Sequence, residues 1–311
     1  MNGLIGNTPL IKIKYKYQNK IRNVYAKLEY YNFSGSIKDR MAYYIVSEAY
    51  KDNKLKRNQP IIEATSGNTG IALSAIGAYF KNPVHIFMPD WVSKERKNIM
   101  ERYGASVYLV SREEGGFLEC IKRADQLAKK INGFRPNQFS NKLNEEINYK
   151  TTAQEIIDKN IKIDGFVSGI GTGGTLMGIS KKLKEVNENI KILAIEPDTV
   201  PLISKGINIG KHKIEGIGDD FIPELLDKKI IDEILLINDD DAINMSSLLA
   251  KKLGLGVGIS SGANFLGAVL SGLDNVVTVF SDDLKKYLSV NNIKNDSMIS
   301  EQIELIDFEI I

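Results

Sequence analysis

Lys38 has the setting most suggestive of chemistry. It lies in Asn32-Phe33-Ser34-Gly35-Ser36-Ile37-Lys38-Asp39-Arg40. A strand-like apolar run, residues 24–28, precedes that stretch, and a helix-like one follows from Met41. A lysine on a tight strand-to-helix turn of small residues can project its amine into a cleft. Desolvation there lowers its pKa and makes it a usable nucleophile or Schiff-base partner. Taken alone, this stretch reads more simply as a solvated, charged helix start, and the rest of the chain is what changes that.

Two further loops carry groups suited to anions. Glu63-Ala64-Thr65-Ser66-Gly67-Asn68-Thr69-Gly70 brings hydroxyls and an amide to the start of a helix, where backbone N–H groups lack partners. That end suits a carboxylate, although an ordinary N-cap turn has the same composition. Ser168-Gly169-Ile170-Gly171-Thr172-Gly173-Gly174-Thr175 is dense in glycine, so its backbone can approach a phosphate closely. No Lys-Ser/Thr pair follows it, which separates it from a Walker A loop, and it fits G-x-G-x-x-G poorly. A single phosphate is the simpler ligand, and a plain glycine-rich turn is the alternative. A lysine, a carboxylate loop and a phosphate loop together suit pyridoxal 5'-phosphate and an amino-acid substrate.

The elements that must position these groups alternate along the chain. Strand patterns fall at residues 60–63, 84–88, 105–110, 165–168, 190–196 and 275–280, and amphipathic helical patterns at 69–80, 93–103, 117–131 and 240–253. Such alternation predicts βαβ units, hence mostly parallel sheets with ligands at the carboxyl ends of the strands. The acidic run Asp239-Asp240-Asp241 reads as a helix start favourable to the dipole.

Composition narrows the function classes. The chain has 311 residues, with 43% hydrophobic and 26% charged, enough for two ordinary cores. Lys+Arg 41 against Asp+Glu 39 gives a net charge of +2, which argues against nucleic acid or a membrane surface as the main partner. The single cysteine, Cys120, permits no intrachain disulfide and falls in a helical pattern that suits a buried thiol. His85 and His212 form no metal-ligand spacing with it, so no metal is expected. No secretion signal or long apolar run is evident, which makes a cytoplasmic location the expectation.

These motifs, with Ile5-Gly6-Asn7-Thr8-Pro9-Leu10 near the start, resemble the cysteine synthase/cystathionine β-synthase family of fold type II pyridoxal-phosphate enzymes. The resemblance reaches to about Ser289. It implies an α/β fold of two doubly wound sheet domains, tryptophan synthase β-like. Residues 1–39 and 144–311 would form the large cofactor domain and 40–143 a small mobile substrate-loop domain. Lys38 matches the Schiff-base lysine and Asn68 the partner of the cofactor's 3'-hydroxyl. Gly171, Thr172, Gly173, Gly174 and Thr175 match the phosphate cradle. Thr65, Ser66, Thr69 and Gln138 match the substrate-carboxylate site. Glu215-Gly216-Ile217-Gly218 and Gly258-Ile259-Ser260-Ser261-Gly262-Ala263 match further cleft stretches. A homodimer is implied as well.

The departures from the family bear on the reaction. Where a serine usually meets the pyridine nitrogen, alignment places Asp283, or Asp282 with a one-residue slip. A carboxylate there would hold a proton on the ring, with a helix N-cap as the alternative role. Asp220 resembles the acid of cystathionine synthases, and Asp232 falls in a segment the family places near the cleft mouth. With Asp219 these acids could serve as general bases on water or a thiol, although for Asp219 and Asp232 a solvated surface position is the simpler reading. The expected reaction is therefore β-elimination or β-replacement at Cβ of L-cysteine, releasing hydrogen sulfide, with water or a thiol as acceptor. The alternatives are a cysteine synthase that uses O-acetylserine and sulfide, and a non-catalytic binding module on the same fold.

Overall fold

The computed structural model describes residues 1, 3–290 and 298–311. Its strands are β1 (Leu10–Tyr17), β2 (Lys20–Leu28), β3 (Ile61–Ala64), β4 (Val84–Pro89), β5 (Ser106–Val110), β6 (Gly165–Gly169), β7 (Lys191–Pro197), β8 (Glu233–Ile237), β9 (Asn275–Phe280) and β10 (Glu304–Ile310). The helices are α1 (Lys38–Lys51), α2 (Asn68–Phe80), α3 (Lys94–Arg102), α4 (Gly116–Ile131), α5 (Lys142–Ile147), α6 (Ala153–Ile157), α7 (Gly174–Val186), α8 (Leu202–Lys205), α9 (Asp239–Leu253) and α10 (Ile259–Leu270).

Seven strands form one sheet in the order β10-β1-β2-β9-β6-β7-β8, and β3-β4-β5 form a second. From β2 to β8 every neighbouring pair is parallel, and so are both pairs of the small sheet. The β10-β1-β2 edge is antiparallel, a departure from the expected βαβ series. Central strands are buried on both faces, as β9 shows with Val276, Val277, Thr278, Val279 and Phe280 all inside. One large apolar cluster lies around Phe265 and Phe280, and a second on the other face around Phe166 and Val277. The small sheet has its own cores, with Ile71 and Ile86 on one side and Cys120 and Ala124 on the other.

This topology fixes where a site can form. The chain leaves β3 at Ala64, β6 at Gly169 and β9 at Phe280, and the loops that follow all meet in one cleft. Carboxyl ends of parallel strands are where such folds bind ligands.

Candidate active site

The cleft is narrow, with a cavity volume of about 60 Å³. Lys38, Thr65, Ser66, Asn68, Thr69, Gln138, Gly171, Thr172, Gly173, Thr175 and Gly216 all line it. These groups lie far apart in sequence and come from both sheets.

The Lys38 turn is held from both sides. Asp39 Oδ2 accepts from Ser34 N at 2.9 Å and Ser36 N at 3.2 Å, and its Oδ1 accepts from the Ser34 hydroxyl at 2.5 Å. Gly35 takes φ +86, which a side chain would strain. Behind the turn, Arg40 donates to Glu29 at 2.6 and 2.7 Å and to Glu155 at 2.6 and 2.8 Å. Lys27 joins the cluster through Glu155 at 2.6 Å. These cations hold the fully buried Glu29 at a pKa of about 2, despite the opposing effect of burial. The start of α1 is thereby anchored, and with it the lysine. Lys38 itself has a lowered pKa because burial disfavours its charge, an effect that Asp219 and Asp282 partly offset.

Around the two anion loops the geometry is as definite. Thr69 donates its hydroxyl to Gln138 Oε1 at 2.5 Å, and Gln138 Nε2 donates to Ala64 O at 2.8 Å. That joins the start of α2 to the loop before α5. In the glycine loop, Gly173 adopts φ +83 and precedes α7. A Cβ on Gly171 would strike Gly216 O, and one on Gly174 would strike the Asn144 amide. Asn144 Nδ2 in turn donates to Thr172 Oγ1 at 2.9 Å. The result is a closely packed loop of glycines and two threonine hydroxyls at the positive end of a 13-residue helix, a composition suited to a phosphate.

Three sequence expectations need correction. Asp232 lies away from the cleft: its carboxylate accepts from Ile192 N at 2.8 Å and pairs with Lys184 at 3.2 Å and Lys191 at 3.1 Å. It immediately precedes β8, so it sits at the amino ends of the parallel strands, opposite the cleft. Asp283 does not line the cleft either. Its Oδ1 accepts from Lys285 N at 3.0 Å and caps the 3₁₀ turn Leu284–Tyr287, while Ser281 is the residue of that segment facing the cleft. Asp220 is exposed and lines an outer bay that adjoins the cleft.

Asp219, by contrast, lines both the cleft and the bay. Its pKa is pushed up to about 6, mainly by burial and then by Asp220, against the pull of Lys38. The next aromatic, Phe221, packs edge-on to the cleft residue Phe139 at 4.8 Å and stacks on Phe117 at 6.2 Å. The acid-bearing loop is thus clasped to the small-sheet unit.

Sequence reasoning missed Arg96 and Asn264. Arg96, from α3, is buried in the cleft wall and reaches Ser66 O at 3.4 Å, Tyr287 Oη at 2.6 Å and Glu215. Asn264 Oδ1 accepts from Gly169 N at 2.9 Å and Nδ2 donates to Val279 O at 2.7 Å, pinning the glycine loop to β9. Neither has a local signal, since the partners are distant in sequence. Cys120 is buried, and burial pushes its thiol up to about 12. Among the described residues no cluster could hold a metal, and no helix is long and apolar enough to cross a membrane.

Comparison with known proteins adds the following. A family model described as pyridoxal-phosphate dependent enzyme matches residues 1–282. Cysteine synthase B of Campylobacter jejuni is 41% identical over 293 residues, covering 93% of this chain and 96% of that protein. Cysteine synthase of Staphylococcus aureus is 39% identical over 293 residues, covering 92% and 94%. The crystal structure of a hydrogen sulfide-producing enzyme from Fusobacterium nucleatum is 46% identical, with a TM-score of 0.93 and coverage of 99% of this chain and 97% of that one.

Proposed function

Since the chain belongs to the family of pyridoxal-phosphate dependent enzymes, we propose that it acts at Cβ of L-cysteine, releasing hydrogen sulfide. With water as acceptor the balance is L-cysteine plus water to L-serine plus hydrogen sulfide, and with a thiol it is a thioether plus hydrogen sulfide. The residues present fit the cofactor: a glycine-rich loop with two threonine hydroxyls for its phosphate, and a desolvated amine for its aldehyde. When bound, the cofactor supplies an electron sink for the bonds broken at Cα and Cβ.

The chain's own residues divide the work. Gly171, Thr172, Gly173, Gly174 and Thr175, with the N-terminus of α7, hold the phosphate. Thr65, Ser66 and Thr69, with the N-terminus of α2, receive the substrate carboxylate, and Gln138 orients Thr69. Lys38 would hold the cofactor's aldehyde through its amine, and the same amine would be the base for the proton on the substrate Cα. Asp219 takes the proton from water or a thiol as that nucleophile reaches Cβ. General-base help of this kind is worth about two to four powers of ten in rate.

The observation that carries the degradative direction is Asp219, an acid with a pKa of about 6 on the cleft wall. It is a base at neutral pH, and water needs one. The similarity to cysteine synthases favours the second reading, synthesis of cysteine from O-acetylserine and sulfide. A homodimer and a cytoplasmic location are part of the proposal, and the dimer is checked by light scattering. The deciding experiment gives cofactor-loaded protein L-cysteine alone and scores sulfide, serine and pyruvate. Sulfide with stoichiometric serine supports the proposal. No sulfide, with rapid cysteine formation from O-acetylserine and sulfide, overturns it in favour of the second reading.

A further inference from the structure

Asn68 opens α2 and lines the cleft, and its side-chain amide is bracketed by opposite charges. Lys286 Nζ donates to its Oδ1 at 2.9 Å, and its Nδ2 donates to Asp282 Oδ2 at 2.8 Å. Both charged residues are buried, at 3% and 0% exposure. Each is tied further into the site. Lys286 also donates to Gly35 O at 2.8 Å, within the turn that carries Lys38. Asp282 Oδ2 accepts a second bond from the Tyr287 hydroxyl at 2.9 Å, and the Asp282 backbone bridges to Ser36.

An amide held in this way has one stable sense. Turned over, its NH₂ would meet an ammonium and its carbonyl a carboxylate, so two charge-assisted bonds would become two repulsive contacts. Asp282 uses one of the two Nδ2 hydrogens, which leaves one uncommitted. We propose that Lys286 and Asp282 are positioning residues that lock Asn68 as a hydrogen-bond donor to the cofactor's ring hydroxyl, favouring the ionised form of that oxygen. The inference rests on the placement of Asn68 against that hydroxyl. A lysine and an aspartate that only filled space would not need to sit on opposite poles of one amide. Burying both charges is costly without partners, and Asn68 is one for each, beside Gly35 O for Lys286 and, for Asp282, Tyr287 and the Arg96 guanidinium at 3.7 Å.

Ionised and protonated forms of the ring absorb at different wavelengths, so the lock can be read without turnover. Full-length protein loaded with pyridoxal phosphate is compared at one fixed pH as wild type, Asn68→Ala, Lys286→Met, Lys286→Arg and Asp282→Asn. Circular dichroism of the same samples reports folding. Lys286→Met and Asp282→Asn are expected to shift the ratio of the two absorbing forms about tenfold, in the same direction as Asn68→Ala. Lys286→Arg keeps a cation and is expected to restore most of the wild-type ratio. If Lys286→Met does not fold, the isosteric Asp282→Asn carries the test. A shift in Asn68→Ala alone, with the Lys286 and Asp282 variants at the wild-type ratio, overturns the lock but keeps the placement of Asn68. An unshifted Asn68→Ala overturns the placement and the lock with it.

Discussion

Replacing Asp219 with asparagine tests the assignment of the base from two independent directions. The carboxyl has a pKa of about 6 against an ordinary 3.8. The folded state therefore binds this proton more tightly than the unfolded chain. Between those two values the folded protein carries more protons, so stability falls as pH rises through the window. The gap corresponds to at most about 3 kcal/mol, and solvent reaching the half-buried group reduces it. Asp219→Asn removes the ionisable group while keeping the shape. The variant is expected to be more stable than wild type at pH 7, by about 1–3 kcal/mol, and equal to it near pH 3, below the ordinary value. Urea denaturation of the apoprotein at both pH values measures this. Activity should move the opposite way. Wild-type kcat/KM is expected to fall below about pH 6 as Asp219 is protonated, and the variant should lose about two powers of ten or more at pH 7.5. Equal stability at both pH values would refute the electrostatic argument. Unchanged turnover with an unchanged acid limb would refute the chemical one.

Lys38→Ala should remove the Schiff-base absorption band, leaving only that of the free aldehyde, and lower turnover by at least about two powers of ten, with the fold intact by circular dichroism; an active variant removes Lys38 from the chemistry. Glu29→Gln leaves Arg40 and Lys27 undercompensated in the core, and is expected to cost about 3–5 kcal/mol in denaturant unfolding. The stabilising effect of Glu29 is full above pH 4.5 and is lost as pH falls towards 2, so the two proteins should converge in acid. Asp232→Asn should leave turnover within about threefold and stability within about 1 kcal/mol, because its ion pairs are at the surface. A loss of activity of about a hundredfold would return Asp232 to the site.

What the sequence made legible was local. The turn at Lys38 reads correctly from its small residues because Gly35 and Asp39 close it through near neighbours. The glycine loop reads for the same reason: its strand, its turn and its helix are contiguous. The antiparallel edge was harder. β10 pairs Ile310 with Ile11 from opposite ends of the chain, and its residues are mostly exposed, so no βαβ pattern announces it. Arg96 and Lys286 escaped because a charged residue reads as solvated until a distant partner is known.

The aspartates show what position in a sheet decides and composition does not. Asp219 and Asp232 are separated by thirteen positions and have the same chemistry. Asp232 precedes β8 and pairs with Lys191 at the beginning of β7, so it belongs to the amino-end face of the sheet. Asp219 follows Gly218, whose N–H donates to Ile170 O in the loop beyond the carboxyl end of β6. Strand direction thus sends one acid to a lysine-neutralised surface, where its pKa is lowered, and the other to the cleft, where its pKa is raised. The same rule separates Ser281 from Asp283. β9 ends at Phe280, and the first residue beyond it faces the cleft. The bridges of Asp282 to Ser36 and of Asp283 to Val257 then turn the chain back into the protein. Of the acids singled out at the cleft mouth, Asp219 is the one that lines the cleft itself, while its neighbour Asp220 lines the outer bay.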